Sequence, residues 1–546
     1  MTWLVESTMP HLIVAPVLLA MVSAAVMLLM GEGRRTLKVV IGLTSALLGL
    51  SISCVLLAWT HQHGVVAYLP GNWPPPFEIE LALDGLSALM LVLTWTLGTA
   101  AVLFASARWH RAGVHFHPLM QLQLMGLSGA FLTADVFNLF VFFEILLAAS
   151  YGLLLHGSGK ARVQASVRYV AVNLTGSSLF LVGAAIIYGV TGTLNMAELS
   201  ARLSGSSVAN RHLIDAGAAI LAVAFLLKAG AWPLNFWLSP AYASATPPAA
   251  AMFAILTKVG VYALIRLSTL MLAVGPVAGF GADVLLGFGI VTALLAALGT
   301  LGSQSASVQA SWVVVVSAGT LLSALGLRDE KVLGSSLFYL VPSTIGCSLL
   351  FLLLDIIQRW RAGTTVVDEA PYLNAALESQ DINLDEEGEP LFTMPFPAST
   401  AALALAFLAC TLLLAGLPPL PTFIGKAAML SAAMGSLVAH SNGDGRVWLF
   451  SAALLASGLL VLVSLMRTGI RIFWAEAERD RPRIRASEGV PLLALLGLTG
   501  ALVVAAGPAL SLANAAARSL FERRPYIEAV LGARPRPSPS PMGGQR

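Results

Sequence analysis

Long apolar runs alternate with short polar loops along the whole chain. A helix that crosses a bilayer needs about 20 predominantly apolar residues, and about fourteen runs of that kind can be counted. They cover 11–30, 38–59, 83–106, 118–134, 136–156, 168–190, 214–237, 246–272, 280–302, 309–327, 333–357, 397–438, 447–470 and 490–513. The pattern predicts an all-α integral membrane protein. The first run, Leu12 to Met30, has no basic segment before it and reads as a retained helix.

Two runs are interrupted. The seventh reads Ala229-Gly230-Ala231-Trp232-Pro233-Leu234 and the twelfth Ala415-Gly416-Leu417-Pro418-Pro419-Leu420. Both are Ala-Gly-x-x-Pro-Leu. Pro233, Pro418 and Pro419 remove backbone donors and should break their helices. Broken backbone at membrane depth is tolerated where protein or water satisfies it. The breaks lie five helices apart, an odd number, so the two spans run in opposite directions, as in an inverted repeat. The expected organisation is three N-terminal helices over 1–106, a first five-helix repeat over 118–272 and a second over 280–470. The second would contain an acidic loop at 362–396. A last helix over 490–513 and a polar tail over 514–546 complete the chain.

Composition agrees. Of 546 residues, 57% are hydrophobic and 11% charged, against roughly 25% charged in average proteins. A soluble surface or a disordered chain is excluded, and the lipid bilayer is the main solvent. The net charge of +3 gives nucleic-acid binding no electrostatic support. Cys54, Cys347 and Cys410 sit far apart inside apolar runs, fitting neither a disulfide framework nor a metal site. With no Fe–S cysteine cluster and no nucleotide fingerprint, no cofactor or metal is expected.

Loop charge sets the orientation. Arg34, Arg35, Lys38, Arg108, Arg111, Lys160, Arg162, Arg168, Arg359, Arg361, Arg467, Arg471, Arg479, Arg481, Arg483 and Arg485 fall on one side. Arg202, Arg211, Arg328, Lys331 and Arg446 fall on the other. The first side should be cytoplasmic, which puts both termini outside. Between Asp368 and Glu389 lies an acidic stretch without a basic residue, read as a solvated loop or as a docking or cation-attracting surface.

Ionisable groups inside apolar runs need a reason, because a mid-bilayer charge costs roughly 2.5–3.5 kcal/mol on insertion scales. Four stand out: Glu144 in the fifth run, Lys228 in the seventh, Lys258 in the eighth and Lys426 in the twelfth. The chain has only six lysines, and three of them are here, while its loops use arginine. These positions are too central for snorkelling. Arg266 lies near a helix end, where headgroup contact is expected. Asp84 and Asp135 open helices and read as caps. His156 is either a polar end residue or a proton relay. His61, His63, His110, His115 and His117 form no ligand spacing.

Four segments then carry a resemblance: Asp135 through Glu144; Lys228 with Pro233; Thr257-Lys258-Val259-Gly260-Val261-Tyr262; and Gly416-Leu417-Pro418-Pro419 through Phe423-Ile424-Gly425-Lys426. In this order and spacing the chain resembles the antiporter-like subunits shared by Mrp-type cation/proton antiporters and respiratory complex I. It is most similar to the D-type subunit of a Mrp-type, or Pha-type, monovalent cation/proton antiporter. Lys426 suits that subunit, whereas some complex I relatives have Glu there. The long lateral helix of the largest subunits is not expected here.

The resemblance implies a multi-pass subunit of a bacterial inner-membrane complex, a transporter subunit rather than an enzyme. Its partners would be the other antiporter subunits, protons, and Na⁺ or K⁺. Glu144, Lys228, Lys258 and Lys426 would carry protons, with Glu144 and Lys228 forming an ion pair. Parting that pair returns the desolvation penalty to the lysine and favours release of its proton. The alternative is a proton-translocating membrane-arm subunit of a complex I or hydrogenase-type redox complex, which would use the same residues. A scaffold subunit with structural charges is a third reading. Two positions depart from the family. Ser303 to Gln309 holds no base where relatives often have lysine, and Pro342 stands where relatives often have histidine. Water must replace those side chains, or transport is reduced.

Overall fold

In the computed structural model, residues 9–534 are described, apart from 32, 76–78, 114, 158, 205–209, 272–277, 363–396, 440–444, 475–481 and 483. The acidic loop and Arg479, Arg481 and Arg483 lie outside the described residues. Nineteen helices carry the fold among those described. They are α1 (Ala15–Leu29), α2 (Arg35–His63), α3 (Gly85–Ser106), α4 (Phe116–Leu132), α5 (Val136–Leu155), α6 (Lys160–Thr191), α7 (Met196–Ser204), α8 (Arg211–Ala229), α9 (Leu238–Ser244) and α10 (Pro247–Leu270). Then follow α11 (Ala278–Gly302), α12 (Ala306–Gly326), α13 (Glu330–Ala362), α14 (Ala398–Ala415), α15 (Pro421–Ala439), α16 (Gly445–Phe473), α17 (Ala486–Val504), α18 (Ala506–Glu522) and α19 (Arg524–Leu531). A short antiparallel hairpin pairs β1 (Val66–Tyr68) with β2 (Leu81–Leu83).

Every predicted apolar run is helical. Among the described residues, twelve helices are long and apolar enough to cross a membrane, and α1 is a shorter apolar helix. Asp84 and Asp135 cap as expected: Asp84 accepts from the backbone of Ser87 in a capping box, and Asp135 from Asn138 N at 2.8 Å. The loops expected on the basic side do gather at one end. There Arg35 reaches Arg111 O, Arg162 reaches Ser244 O, Arg485 reaches Ala107 O and Arg359 pairs with Glu488.

The middle of the protein is α10. It is apolar all round, as a helix must be when neighbours rather than lipid surround it. Of its residues only Pro247 and Ser268 escape burial. Helix α13 is almost as enclosed.

Both predicted breaks are present, with one local geometry. Helix α8 ends at Gly230 and α14 at Gly416, each in the left-handed region at φ 70° and 77°. That conformation suits glycine, which has no Cβ to clash. Ala231 N returns to Leu226 O at 2.9 Å, and Leu417 N to Leu412 O at 3.0 Å. The Trp232–Pro233 and Pro418–Pro419 bonds are cis. The chain then resumes as α9 and α15.

Two sequence expectations change. Residues 514–533 are not a simple polar tail. Ala513, Ala516, Ala517 and Leu520 line one buried stripe of α18, and Tyr526 and Val530 anchor α19. Arg266 does not reach toward headgroups. It is 2% exposed and pairs with Asp84.

Candidate functional site

The four singled-out charges lie on α5, α8, α10 and α15: Phe143 and Phe225 bring α5 against α8, α8 packs on α10, and α13 lies between α10 and α15. Glu144 is half-buried on α5 and its carboxylate accepts a hydrogen bond from Ser177 of α6. Lys228 is buried in the last turn of α8, just before the break. Its ammonium stands over the ring of Phe143 at 5.0 Å, a cation–π contact, and has no hydrogen-bond partner. The expected Glu144–Lys228 ion pair is therefore not closed. Phe143 and Ser177 hold the two groups instead, and they interact only through space.

Lys228 faces a small enclosed cavity with Tyr169, Asn173, Trp237, Tyr242, Leu256 and Val259. Its volume is about 10 Å³, roughly the room one water molecule takes. Lys228 Nζ, Trp237 Nε1 and Tyr242 OH all lack a protein hydrogen-bond partner. Buried polar atoms are rarely left so. A water held in this cavity would find its partners among these groups. Sequence reading missed Trp237 and Tyr242, because a lone aromatic in a hydrophobic run gives no sign of which way its polar atom points.

On the far side of this cavity stands α10. Gly260 lets it touch α8: a Cβ there would lie 2.6 Å from Ala229 N and 2.7 Å from Phe225 O. Lys258, two residues earlier, is completely buried, and its ammonium meets one acceptor, Val314 O of α12 at 3.4 Å. An ammonium carries three donors, so Lys258 is thinly held.

Lys426 lies on α15 just past the second break. Its ammonium donates to Ala415 O at 2.8 Å, one of the carbonyls left over at the C-terminus of α14. A cation also suits that end of a helix dipole. Gly416 and Gly458 form the walls. A Cβ at Gly458 would lie 2.8 Å from both Ala415 O and Lys426 Nζ. Pro233, Pro418 and Pro419 thus sit in the two breaks that hold Lys228 and Lys426.

The positions that depart from the family are filled by neutral groups. Gln309 accepts from Thr468 Oγ1 at 2.7 Å and donates to Ser464 Oγ at 3.2 Å, joining α12 to α16. Pro342 lies inside α13, and next to it Ser343 Oγ is 3.1 Å from Ser317 Oγ.

Outside the spans, burial raises the Asp135 carboxyl above the usual carboxylate range. Burial also acts to raise Asp84, but the adjacent Arg266 outweighs it and holds that carboxyl below the usual range. His156 packs against Phe116 and contacts Trp109 O through Nε2 at 2.9 Å, and burial lowers its affinity for a proton. Among the described residues, no group of His, Cys, Asp and Glu could hold a metal ion.

Comparison with known proteins adds an independent line. Residues 133–440 match the family described as NADH:quinone oxidoreductase/Mrp antiporter, TM. The chain is 46% identical over 537 residues to the D-type subunit of a probable K⁺/H⁺ antiporter of Rhizobium meliloti, covering 96% of this chain and 98% of that one. It is 31% identical to the D-type subunit of the Na⁺/H⁺ antiporter of Alkalihalophilus pseudofirmus, over 96% and 100% of the two chains. A chain in the structure of the Mrp complex from Dietzia sp. superimposes with a TM-score of 0.79 at 26% identity, covering 97% and 100%.

Proposed function

The chain belongs to the NADH:quinone oxidoreductase/Mrp antiporter family, and from that premise we propose that it is the D-type subunit of a multi-subunit Na⁺(K⁺)/H⁺ antiporter in the plasma membrane. The observation that carries this reading is similarity over the whole chain to relatives named as D-type antiporter subunits, joined to a row of buried ionisable groups. Those relatives favour the antiporter reading over a redox-complex membrane arm. The other subunits of the antiporter are its partners.

In the proposed mechanism Glu144, Lys228, Lys258 and Lys426 pass protons across the protein. Glu144 and Lys228 stand apart in this structure. Closing the gap past Phe143 would make an ion pair and favour the charged lysine; opening it favours release. The proton then crosses the cavity bounded by Tyr242 and Val259 to Lys258. Lys426 exchanges it at the other break, where the flanking helix ends leave polar backbone free. The five-helix units over 118–272 and 280–470 supply one break each. Moving one charge through 100 mV is worth about 2.3 kcal/mol, so the membrane potential biases the cycle. Inward proton flow would drive the cation out.

The test uses the assembled complex, purified with its partner subunits and placed in vesicles carrying a pH-sensitive dye. Glu144→Gln should abolish proton flux driven by Na⁺ or K⁺ while the complex still assembles. Wild-type flux in that variant would reject the mechanism. Co-purification with Fe–S or quinone-reducing proteins would reject the antiporter reading itself.

A further inference from the structure

Between Lys258 and Lys426 the line of charges has a gap, and no ionisable base among the described residues fills it. What stands there is a face of α13. Tyr339, Ser343 and Cys347 follow one another at four-residue intervals, so they line one side of the helix. All three are buried, as are Ser317 and Thr320 on the facing helix α12. Tyr339 lies one turn before Ser343 on this face, with its phenol within electrostatic reach of the Thr320, Ser317 and Ser343 hydroxyls. Ser343 and Ser317 lie 3.1 Å apart, and either can be the donor.

At each end, a helix that carries this cluster contacts a lysine site. At one end, the Lys258 ammonium contacts Val314 O, one helical turn before Ser317 on α12. The buried Cys347 lies within electrostatic reach of both Lys258 and Tyr339. At the other end, α13 touches α15 at Gly425, the residue before Lys426. A Cβ on Gly425 would lie 2.9 Å from Tyr339 Cβ.

We propose that the hydroxyls of Ser317, Ser343, Tyr339 and Thr320 conduct the proton between Lys258 and Lys426, in place of a titratable side chain. This rests on the proton route proposed above. A hydroxyl has one donor and two acceptor sites, so it can take a proton on one side while giving up its own on the other. The balance closes. Lys258 gives up one proton, each hydroxyl receives one and releases one, and the neutral amine of Lys426 receives the last. The hydroxyls end uncharged and reset by rotation. Two of them have a resting acceptor for this on their own helix: Ser343 Oγ donates to Leu340 O at 3.1 Å and Thr320 Oγ1 to Val316 O at 3.0 Å. Such a chain suits a dry site, because no intermediate charge has to be held in low dielectric.

The experiment compares wild type, Tyr339→Phe, the Ser317→Ala/Ser343→Ala double variant, Ser343→Thr and Glu144→Gln. All are made in the whole complex and assayed in vesicles with a pH dye, in H₂O and in D₂O. Tyr339→Phe and the double variant should each lower cation-driven proton flux roughly tenfold or more. The solvent isotope effect on what remains should rise, because proton transfer has become limiting. Ser343→Thr, which keeps the hydroxyl, should recover most of the flux. A purely structural role would lower flux without changing the isotope effect, and that result overturns the proposal. Wild-type flux in both Tyr339→Phe and the double variant overturns it too, even where Glu144→Gln is inactive and the main route stands. Should Glu144→Gln keep its flux, the route from Glu144 fails, and the hydroxyl chain is still decided by its own variants.

Discussion

Asp84 and Arg266 form a two-pronged ion pair inside the protein, with Arg266 Nη1 2.5 Å from Asp84 Oδ2 and Nη2 2.9 Å from Oδ1. Both side chains are almost fully buried. The guanidinium also lies over the rings of Tyr262 and Tyr526, at 5.4 and 5.0 Å. The pair therefore ties the start of α3, the end of α10 and the C-terminal helix α19 together. Removing one partner of a buried pair leaves an unpaired charge and costs about 3–5 kcal/mol. Arg266→Ala and Asp84→Asn should each lower the unfolding temperature of the detergent-solubilised protein by several degrees. Tyr526→Ala should cause a smaller loss by the same measurement. A melting curve unchanged by Arg266→Ala would show that the pair contributes little.

The same pair gives a pH dependence. The carboxyl of Asp84 titrates below the ordinary range. A depressed folded pKa means that the stabilisation is fully present above the unfolded value of about 3.9 and disappears as pH falls through the folded value. The difference in unfolding temperature between wild type and Asp84→Asn should stay constant from about pH 8 to pH 5. It should shrink as the solution is acidified below about pH 4. A difference that shrinks near neutrality would assign the dependence to another group.

Much of this architecture was legible in the sequence, for physical reasons. Lysines are conspicuous in apolar runs because lipid excludes them, and Gly-x-x-Pro marks a break because both residues constrain the backbone. The Asp84–Arg266 pair was not legible, since nothing local links a cap to an arginine 182 residues away. The hydroxyl chain was hidden for another reason. Serine and threonine in membrane helices often bond back to their own helix, as Thr320 does to Val316, and only packing shows which of them also face a neighbour. The helices of 514–533 were missed although the spacing of Ala513, Ala516, Ala517 and Leu520 is the signature of an amphipathic stripe.

The second break predicts a steric test. Gly458 leaves just enough room for Lys426 to reach Ala415 O. Gly458→Ala places a methyl group 2.8 Å from both atoms, and one of them is fixed backbone. The lysine must give way. Displacing a reacting group by about 1 Å can cost up to roughly a hundredfold in rate. Cation-driven flux in vesicles should fall at least tenfold, with the complex still assembling. Flux equal to wild type would remove Lys426 from the proton route or show that its contact with Ala415 is dispensable.

The cavity beside Lys228 makes the last prediction, and it separates a water relay from direct contact between lysines. The space holds about one water and is bounded by Val259 on α10 and Tyr242 after the break. Val259→Leu adds one methylene, which is enough to occupy that space without introducing charge. If a water carries the proton from Lys228 toward Lys258, this variant should lower flux several-fold, although the lysines are untouched. Val259→Ala, which enlarges the space, should spare it. Tyr242→Phe removes one of the three unpartnered polar groups facing the cavity and should weaken the water's hold, giving a smaller loss than Val259→Leu. Equal flux in Val259→Leu and Val259→Ala would mean that the proton passes without a water at this point. Lys228 would then have to reach Lys258 by moving its own side chain, a route that the backbone contact at Gly260 makes short.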